Sequence, residues 1–208
     1  MRFCGGTPTR LREANVANAP GTPKYAQPEN ERRALVDPAR CPSLARTPFD
    51  LIEDVYIANT RMRLRGVTEA DSGQRVFKLC KKYPSSDPLS APIVNVYLTR
   101  AEHAVFARLP GWSIRKRRYR LTLSGATYAV DVFQGDLDGL ILCEIEGSTR
   151  DVVREAAFPD WAPVDVTVDI AFTGGRLCRT KADEIATRVA VALTSATAGI
   201  DPKGRGAV

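Results

Sequence analysis

The segment Glu29-Asn30-Glu31-Arg32-Arg33 sets two carboxylates and a guanidinium at alternate positions, directly before Ala34-Leu35-Val36. Successive side chains of an extended strand point to opposite faces, so Glu29, Glu31 and Arg33 share one. The pattern returns as Glu144-Ile145-Glu146 behind the apolar run Leu140-Ile141-Leu142. Each pair holds its acids about 7 Å apart on one side of a strand. Carboxylate oxygens in that arrangement suit a hard divalent cation, Mg2+ or Mn2+, which keeps waters and also takes substrate phosphates. Asp131 joins them if its strand turns the same face inward. An isolated alternating Glu pair commonly faces solvent. The duplication, the apolar flanks and the neighbouring Arg33 favour an enclosed role.

Bases recur with the same parity. Arg63 and Arg65 share a face, as do Lys78 and Lys82, and Lys116, Arg118 and Arg120. Taken alone, the run Arg115 to Arg120 reads as a solvated face; three separate strands with one parity read as a cationic wall. Guanidinium forks bind phosphate oxygens bidentately and ammonium groups add point charges. With metal on one side and Arg and Lys on the other, a triphosphate can be gripped along its length. Phosphoryl transfer asks little more than positioning and charge neutralisation. A metal-bound or carboxylate-activated water would be the nucleophile.

These groups need strands to hold them. The patterning predicts strands over Glu29 to Val36, Asp50 to Ile57, Arg61 to Arg65, Arg75 to Lys82, Ile93 to Leu98, Trp112 to Leu123, Thr127 to Gln134, Leu140 to Glu146 and Val164 to Phe172. Thr99-Arg100-Ala101-Glu102 is a capping box that starts a short helix running to about Leu109, and Ser148-Thr149-Arg150-Asp151 starts another ending near Phe158. Residues 180–198 have helical composition, with Ile185, Val189 and Leu193 on one face. Residues 1–28, punctuated by Pro8, Pro20, Pro23 and Pro28, read as a disordered leader, 29–198 as one domain, and 199–208 as a tail. About eight short strands with hairpin turns favour a mainly β fold, an antiparallel barrel with a few short helices outside it. The bore of such a barrel is just wide enough for side chains or one small ligand.

The bulk numbers agree without deciding. The 208 residues suffice for one domain, and 30 Lys and Arg against 24 Asp and Glu give a net charge of +6. That surplus suits an anionic partner and does not choose among anions. Five scattered cysteines without a C-x-x-C spacing argue against a disulfide framework or a structural zinc site and for a reducing cytoplasm. Neither a secretory leader nor a membrane-spanning stretch is legible. There is no Walker A, Gly-x-Gly-x-x-Gly or Gly-x-Ser-x-Gly motif. His103 falls within a helix and reads as structural or exposed; aromatics are too sparse for single-stranded nucleic acid to be the expected partner.

From about Glu29 to Cys178 the sequence resembles the CYTH family, the triphosphate tunnel metalloenzymes. Glu29-Asn30-Glu31-Arg32-Arg33 is similar to the family's E-x-E-x-K, with Arg for the usual Lys. Arg63-Leu64-Arg65 resembles its R-x-R strand, and Lys78 to Lys82 its Lys-bearing strand. Lys116-Arg117-Arg118-Tyr119 resembles its K-x-R-Y, Asp131-Val132-Phe133 then Glu144-Ile145-Glu146 its D-V-F and second E-x-E, and Asp165-Val166-Thr167 its E-V-T. The resemblance implies a closed eight-stranded antiparallel tunnel, divalent-metal dependence and a triphosphate-containing substrate. It implies metal on Glu29, Glu31, Asp131, Glu144 and Glu146, phosphates on Arg33, Arg63, Arg65, Lys78, Lys82, Lys116 and Arg118, and catalysis by Glu29, Glu31, Arg33, Lys116 and Arg118. Many triphosphatase members carry acids on the strand corresponding to Ile93-Val94-Asn95-Val96, which has none here. The expected activity is a Mg2+- or Mn2+-dependent hydrolysis of inorganic or organic triphosphate by a cytoplasmic monomer or homodimer. The alternatives are a non-catalytic polyphosphate- or nucleotide-binding module and an adenylate-cyclase-type enzyme.

Overall fold

The computed structural model describes residues 23–123 and 125–198. Within these residues nine strands form one sheet: β1 Gln27–Leu35, β2 Phe49–Ile57, β3 Met62–Thr68, β4 Arg75–Lys82, β5 Ser90–Leu98, β6 Gly111–Leu123, β7 Ala126–Gln134, β8 Ile141–Gly147 and β9 Val164–Asp165. Among the described residues four helices accompany them: α1 Arg100–Phe106, α2 Arg150–Glu155, α3 Gly174–Leu177 and α4 Ala182–Ala198. The strand order is β5-β4-β3-β2-β6-β7-β8-β1-β9, and β1 also pairs with β5. That pairing closes an eight-stranded antiparallel barrel, with β9 as a short addition beside β1. Closure gives each of the eight barrel strands a neighbour on both sides.

The bore faces of β1, β6, β7 and β8 are apolar at one end, at Leu35, Ile114, Phe133 and Leu142, and charged further along. Leu35, Ile114, Phe133 and Leu142 meet Leu137, Leu140, Val166, Phe172, Leu177 and Ile185 in one cluster, so the C-terminal segments pack over one end of the bore. Val189 and Leu193 of α4 join Ile185 there, as the helical period requires. On the outer surface, Ala34, Val36, Tyr119, Val130 and Cys143 pack under Trp161 and Ala162. Ile57, Leu64 and Leu79 pack near Phe106 of α1.

Most predicted elements occur within two or three residues of their expected bounds. Thr99 caps α1 with the full capping box and Thr149 caps α2. β5 begins at Ser90, inside the stretch expected to be loop, and runs through Pro92, which sits opposite Pro28 at the barrel seam. Gln27 and Pro28 are strand rather than leader; the rest of that expected leader, residues 1–22, and the expected tail 199–208 lie outside the described residues.

One expectation fails outright. Val164 to Phe172 is not a strand: pairing ends at Asp165, and Ile170–Phe172 is a 3-10 turn. The alternation is apolar enough, but local side-chain hydrogen bonds compete with the ladder. Asp165 Oδ1 accepts from the Thr167 amide and Asp169 Oδ1 from the Ala171 amide, at 2.9 Å each. Among the described residues the cysteines are unpaired, and no helix is long and apolar enough to cross a membrane.

Candidate active site

Register decides what faces the bore, because residues directly opposite in an antiparallel pair share a face. Around the barrel Tyr56 stands opposite Arg63 and Arg63 opposite Cys80. Asp54 opposes Arg65, which opposes Lys78. Arg118 opposes Asp131. Glu31 opposes Glu146, and Arg33 opposes Glu144. The two E-x-E segments, over a hundred positions apart in sequence, therefore lie side by side on β1 and β8. A cavity of about 630 Å3 fills this space. Glu29, Glu31, Arg33, Arg63, Arg65, Lys82, Lys116, Arg118, Glu144 and Glu146 all line it.

Two predicted site residues do not. Lys78 lies on the bore face beyond the cavity, its ammonium 5.0 Å from the centre of the Tyr97 ring. Asp131, expected as a metal ligand, has no exposed surface and does not line the cavity. It sits behind the cations: Lys116 Nζ donates to it, and Arg118 Nε and Nη2 reach its two oxygens at 2.7 Å each. Its oxygens orient Lys116 and Arg118, where the sequence led us to expect a metal ligand. Arg120, of the same parity, lies past the cavity and bonds Asp50 at 2.6 Å.

The bore charges form three networks. Glu31 accepts from Arg33 Nη2 and from Lys82 Nζ at 2.7 Å, and Lys82 also reaches Glu29 at 2.9 Å. Arg118 spans Asp131, Glu144 and, at 3.0 Å, Glu146. Arg65 forks onto Asp54 at 2.7 and 2.8 Å, with Arg63 Nε 3.8 Å from the same carboxylate. Six carboxylates (Glu29, Glu31, Asp54, Asp131, Glu144, Glu146) thus meet six cations (Arg33, Arg63, Arg65, Lys82, Lys116, Arg118), a balance of zero. Buried charges require such compensation. Yet two buried guanidinium nitrogens, Arg33 Nε and Arg63 Nε, have no hydrogen-bond partner. Both guanidiniums line the cavity, where charged donors of this kind suit an oxyanion.

The protonation states follow from these contacts. Burial alone would raise the Glu31 carboxyl, but Arg33 and Lys82 outweigh it and lower its pKa. Burial likewise opposes ionisation of Glu144, and Arg118, Lys116 and Arg33 overcome it and hold the pKa well below the carboxylate range. Asp54 is brought to about 2, as Arg65 and Arg63 outweigh its burial. Glu146 goes the other way: burial and the crowding of Glu144, Glu31 and Glu29 raise it against the pull of Arg118.

Sequence reasoning passed over Asp54 and Tyr56. The readable signal was parity: Asp50, Ile52, Asp54 and Tyr56 share a face, opposite the face carrying Leu51, Glu53 and Val55. It also missed two further stretches of the cavity's lining, one that includes Thr167, Ile170 and Arg179 and one in the β4–β5 connection that includes Tyr83 and Leu89. Gly174 passes so close to Tyr56 that an added Cβ would collide with the phenol.

No family model matches the chain. The chain is 35% identical over 66 residues to an inorganic triphosphatase of Acetivibrio thermocellus, a match spanning 32% of this chain and 41% of that relative's length. Among solved structures, the hypothetical protein NE1496 superposes with a TM-score of 0.50 at 20% identity, covering 74% of this chain and 99% of that one. A second structure, described as the inorganic triphosphatase NE1496, gives 0.49 at 21% identity, covering 73% and 95%. A closed eight-stranded antiparallel barrel whose bore sets acids against bases is the triphosphate tunnel fold. The chain shares that fold, and its motifs resemble those of the CYTH, or triphosphate tunnel, family.

Proposed function

We propose that this chain is a metal-dependent hydrolase of small triphosphate-containing molecules, which cleaves a phosphoanhydride bond of a substrate held in the bore. One observation carries the reading: the paired carboxylates of β1 and β8 face a wall of Arg and Lys inside a closed barrel, with two buried guanidinium N–H groups left without partners. The inorganic triphosphatase relative points the same way over the part it matches.

The donor set is oxygen-only, the chemistry of Mg2+ or Mn2+. Among the described residues no three acids, histidines or cysteines converge into a ready-made metal site. The reason is visible, since each bore carboxylate is already tied to a cation. A triphosphate drawing hydrogen bonds from Arg33, Arg63, Arg65 and Lys82 would compete for those cations and release Glu29, Glu31, Glu144 and Glu146 to hold a metal. The metal, when bound, supplies charge neutralisation and a more acidic water. Because the networks balance to zero without ligand, a polyanion enters at low cost only with cations beside it.

The remaining chemistry belongs to the chain. Water oxygen bonds to phosphorus as the bridging P–O bond breaks, its electron pair leaving on the diphosphate-bearing product. Arg33 and Lys82 neutralise that leaving oxygen. The water's proton passes to a bore carboxylate that is not engaged on the metal. Asp131 holds Lys116 and Arg118 in place from behind.

Phosphate release from tripolyphosphate and from ATP, with Mg2+ or Mn2+, tests the reading in wild type and Glu31→Gln. Turnover in wild type that falls at least a hundredfold in the variant is expected; equal rates would overturn it. A binding module without catalysis is favoured by one observation, the absence of acids on Ile93-Val94-Asn95-Val96, where Asn95 takes the bore-facing place opposite Cys80. It predicts thermal stabilisation by tripolyphosphate without turnover.

A further inference from the structure

The pair of strands that closes the barrel is short. β1 meets β5 only through residues 27–30 against residues 90–93. Before Gln27 the chain folds into a turn, where the Ala26 amide donates to the Pro23 carbonyl at 2.9 Å. β5 runs on to Leu98, and among the described residues 94–98 pair with β4 alone. This part of β5 overhangs the seam.

Backbone groups point alternately to the two sides of a strand, so the free ones can be named. The Pro92 carbonyl accepts from the Tyr83 amide on the β4 side, and the Leu89 carbonyl accepts from the Glu31 amide on the β1 side. Even-numbered residues of β5 therefore bond toward β4 and odd-numbered ones toward the seam. Past Ile93 the odd ones are Asn95 and Tyr97, whose amides and carbonyls point to where β1 has ended. The place is open: Val96 is 49% and Tyr97 69% exposed. Bare strand backbone is a template for another strand, and natural proteins blunt it with Lys or Pro. Residues 94–98 read Val-Asn-Val-Tyr-Leu and contain neither.

The stretch is its own complement. About a twofold axis at Val96, Asn95 of one copy stands opposite Tyr97 of the other, and each such pair exchanges both hydrogen bonds. All the free groups are then satisfied. Moving the axis to Asn95 or Tyr97 sets one of them against Ile93, already paired with β1, or against Thr99, the cap of α1. Val96 meets Val96 as the closer, non-bonded pair, with Val94 opposite Leu98 on the same outer face. No charge lies in the stretch, so the symmetry sets no like charges together.

We propose that this overhang is an interface between two copies of this chain, which join antiparallel through β5 into one continuous sheet. α1 flanks the joint on the outer side of the same strands, with His103 against Phe77 and none of its residues buried. A short strand pair with one flanking helix belongs among small interfaces, below about 1,200 Å2, so the dimer depends on concentration.

Sedimentation of the full chain over about 1 to 100 µM tests this. Wild type is expected to pass from monomer to dimer across that range. Asn95→Pro removes a seam-side donor and leaves the ladder with β4 whole; Val96→Lys sets two ammonium groups face to face. Each is expected to weaken the dimer about tenfold or more, with thermal unfolding confirming that the variant folds. Should either fail to fold, Val96→Cys decides: the two sulfurs meet at the axis, and mild oxidation should give a reducible dimer that wild type does not. A chain that stays monomeric throughout, a dimer that both substitutions leave intact, or a Val96→Cys protein that does not cross-link overturns the inference.

Discussion

Replacing Asp54 by Asn removes one negative charge from beneath two guanidiniums while keeping the side chain's size. Asp54 is 2% exposed and holds Arg65 in a fork at 2.7 and 2.8 Å, with Arg63 within 3.8 Å. The lowering of its pKa from 3.8 to about 2 corresponds to roughly 2 kcal/mol of favourable interaction. Removing one partner of a buried pair costs about 3 to 5 kcal/mol, because the remaining charge stays buried and unpaired. Here two remain. A loss of about 3 kcal/mol is the expectation, a fall in Tm of roughly 6 to 12 °C at this chain length. The bore supplies a diagnostic that general destabilisation lacks. Phosphate oxygens can replace the missing carboxylate at Arg63 and Arg65, so tripolyphosphate with Mg2+ should raise the Tm of Asp54→Asn by more than it raises wild type. The assay is thermal unfolding of both proteins with and without that ligand. A Tm change under 2 °C, or equal ligand shifts in the two proteins, would refute the placement of Asp54 as the counter-charge of a phosphate site.

Two further predictions rest on the same contacts. Glu31 and Glu144 are lowered from an ordinary 4.5 and Asp54 from 3.8, so the stability they contribute is present above those values and lost as pH falls through the lowered ones. Glu146 is raised, so stability declines slightly as pH rises through the window just above 4.5. A Tm–pH curve should thus peak near about pH 5 and drop steeply below about pH 4; a Tm that climbs on acidification from pH 5 to about 3 contradicts the networks. Arg32, one residue from Arg33 but on the outer face, donates to the Ala156 carbonyl at 2.8 Å, pairs with Asp165 at 2.6 Å and stacks on Phe158. Arg32→Ala should cost about 1 to 3 kcal/mol in chemical denaturation, whereas Arg33→Ala should lower phosphate release at least a hundredfold. Activity loss in the first and none in the second would reverse the assigned faces.

Parity made the site legible. Glu29, Glu31 and Arg33 could be assigned to one face because strand geometry permits nothing else once the strand is granted. The neighbouring Glu144 and Glu146 followed by the same rule. What parity cannot give is depth along the bore. Asp131, Lys78 and Arg120 all have the right parity, but Asp131 lies behind the cations, and Lys78 and Arg120 lie past the cavity. Asp54 went unnoticed because its strand is apolar enough to read as core, and its meaning appears only once Arg65 stands opposite. The stretch after Asp165 misled for a different reason: the Asp165 and Asp169 carboxylates divert the backbone into turns, and an alternating pattern cannot show whether a partner strand exists.

The seam between β1 and its two neighbours sets the order in which this molecule can be made. β1 is the first strand among the described residues, yet it pairs with β5 on one side and with β8, more than a hundred residues later, on the other. On the ribosome it must wait, with one flank exposed, until Glu144 and Glu146 have emerged. Such distant pairing makes for slow folding, and nothing able to grip a polyanion exists until that last zipper closes.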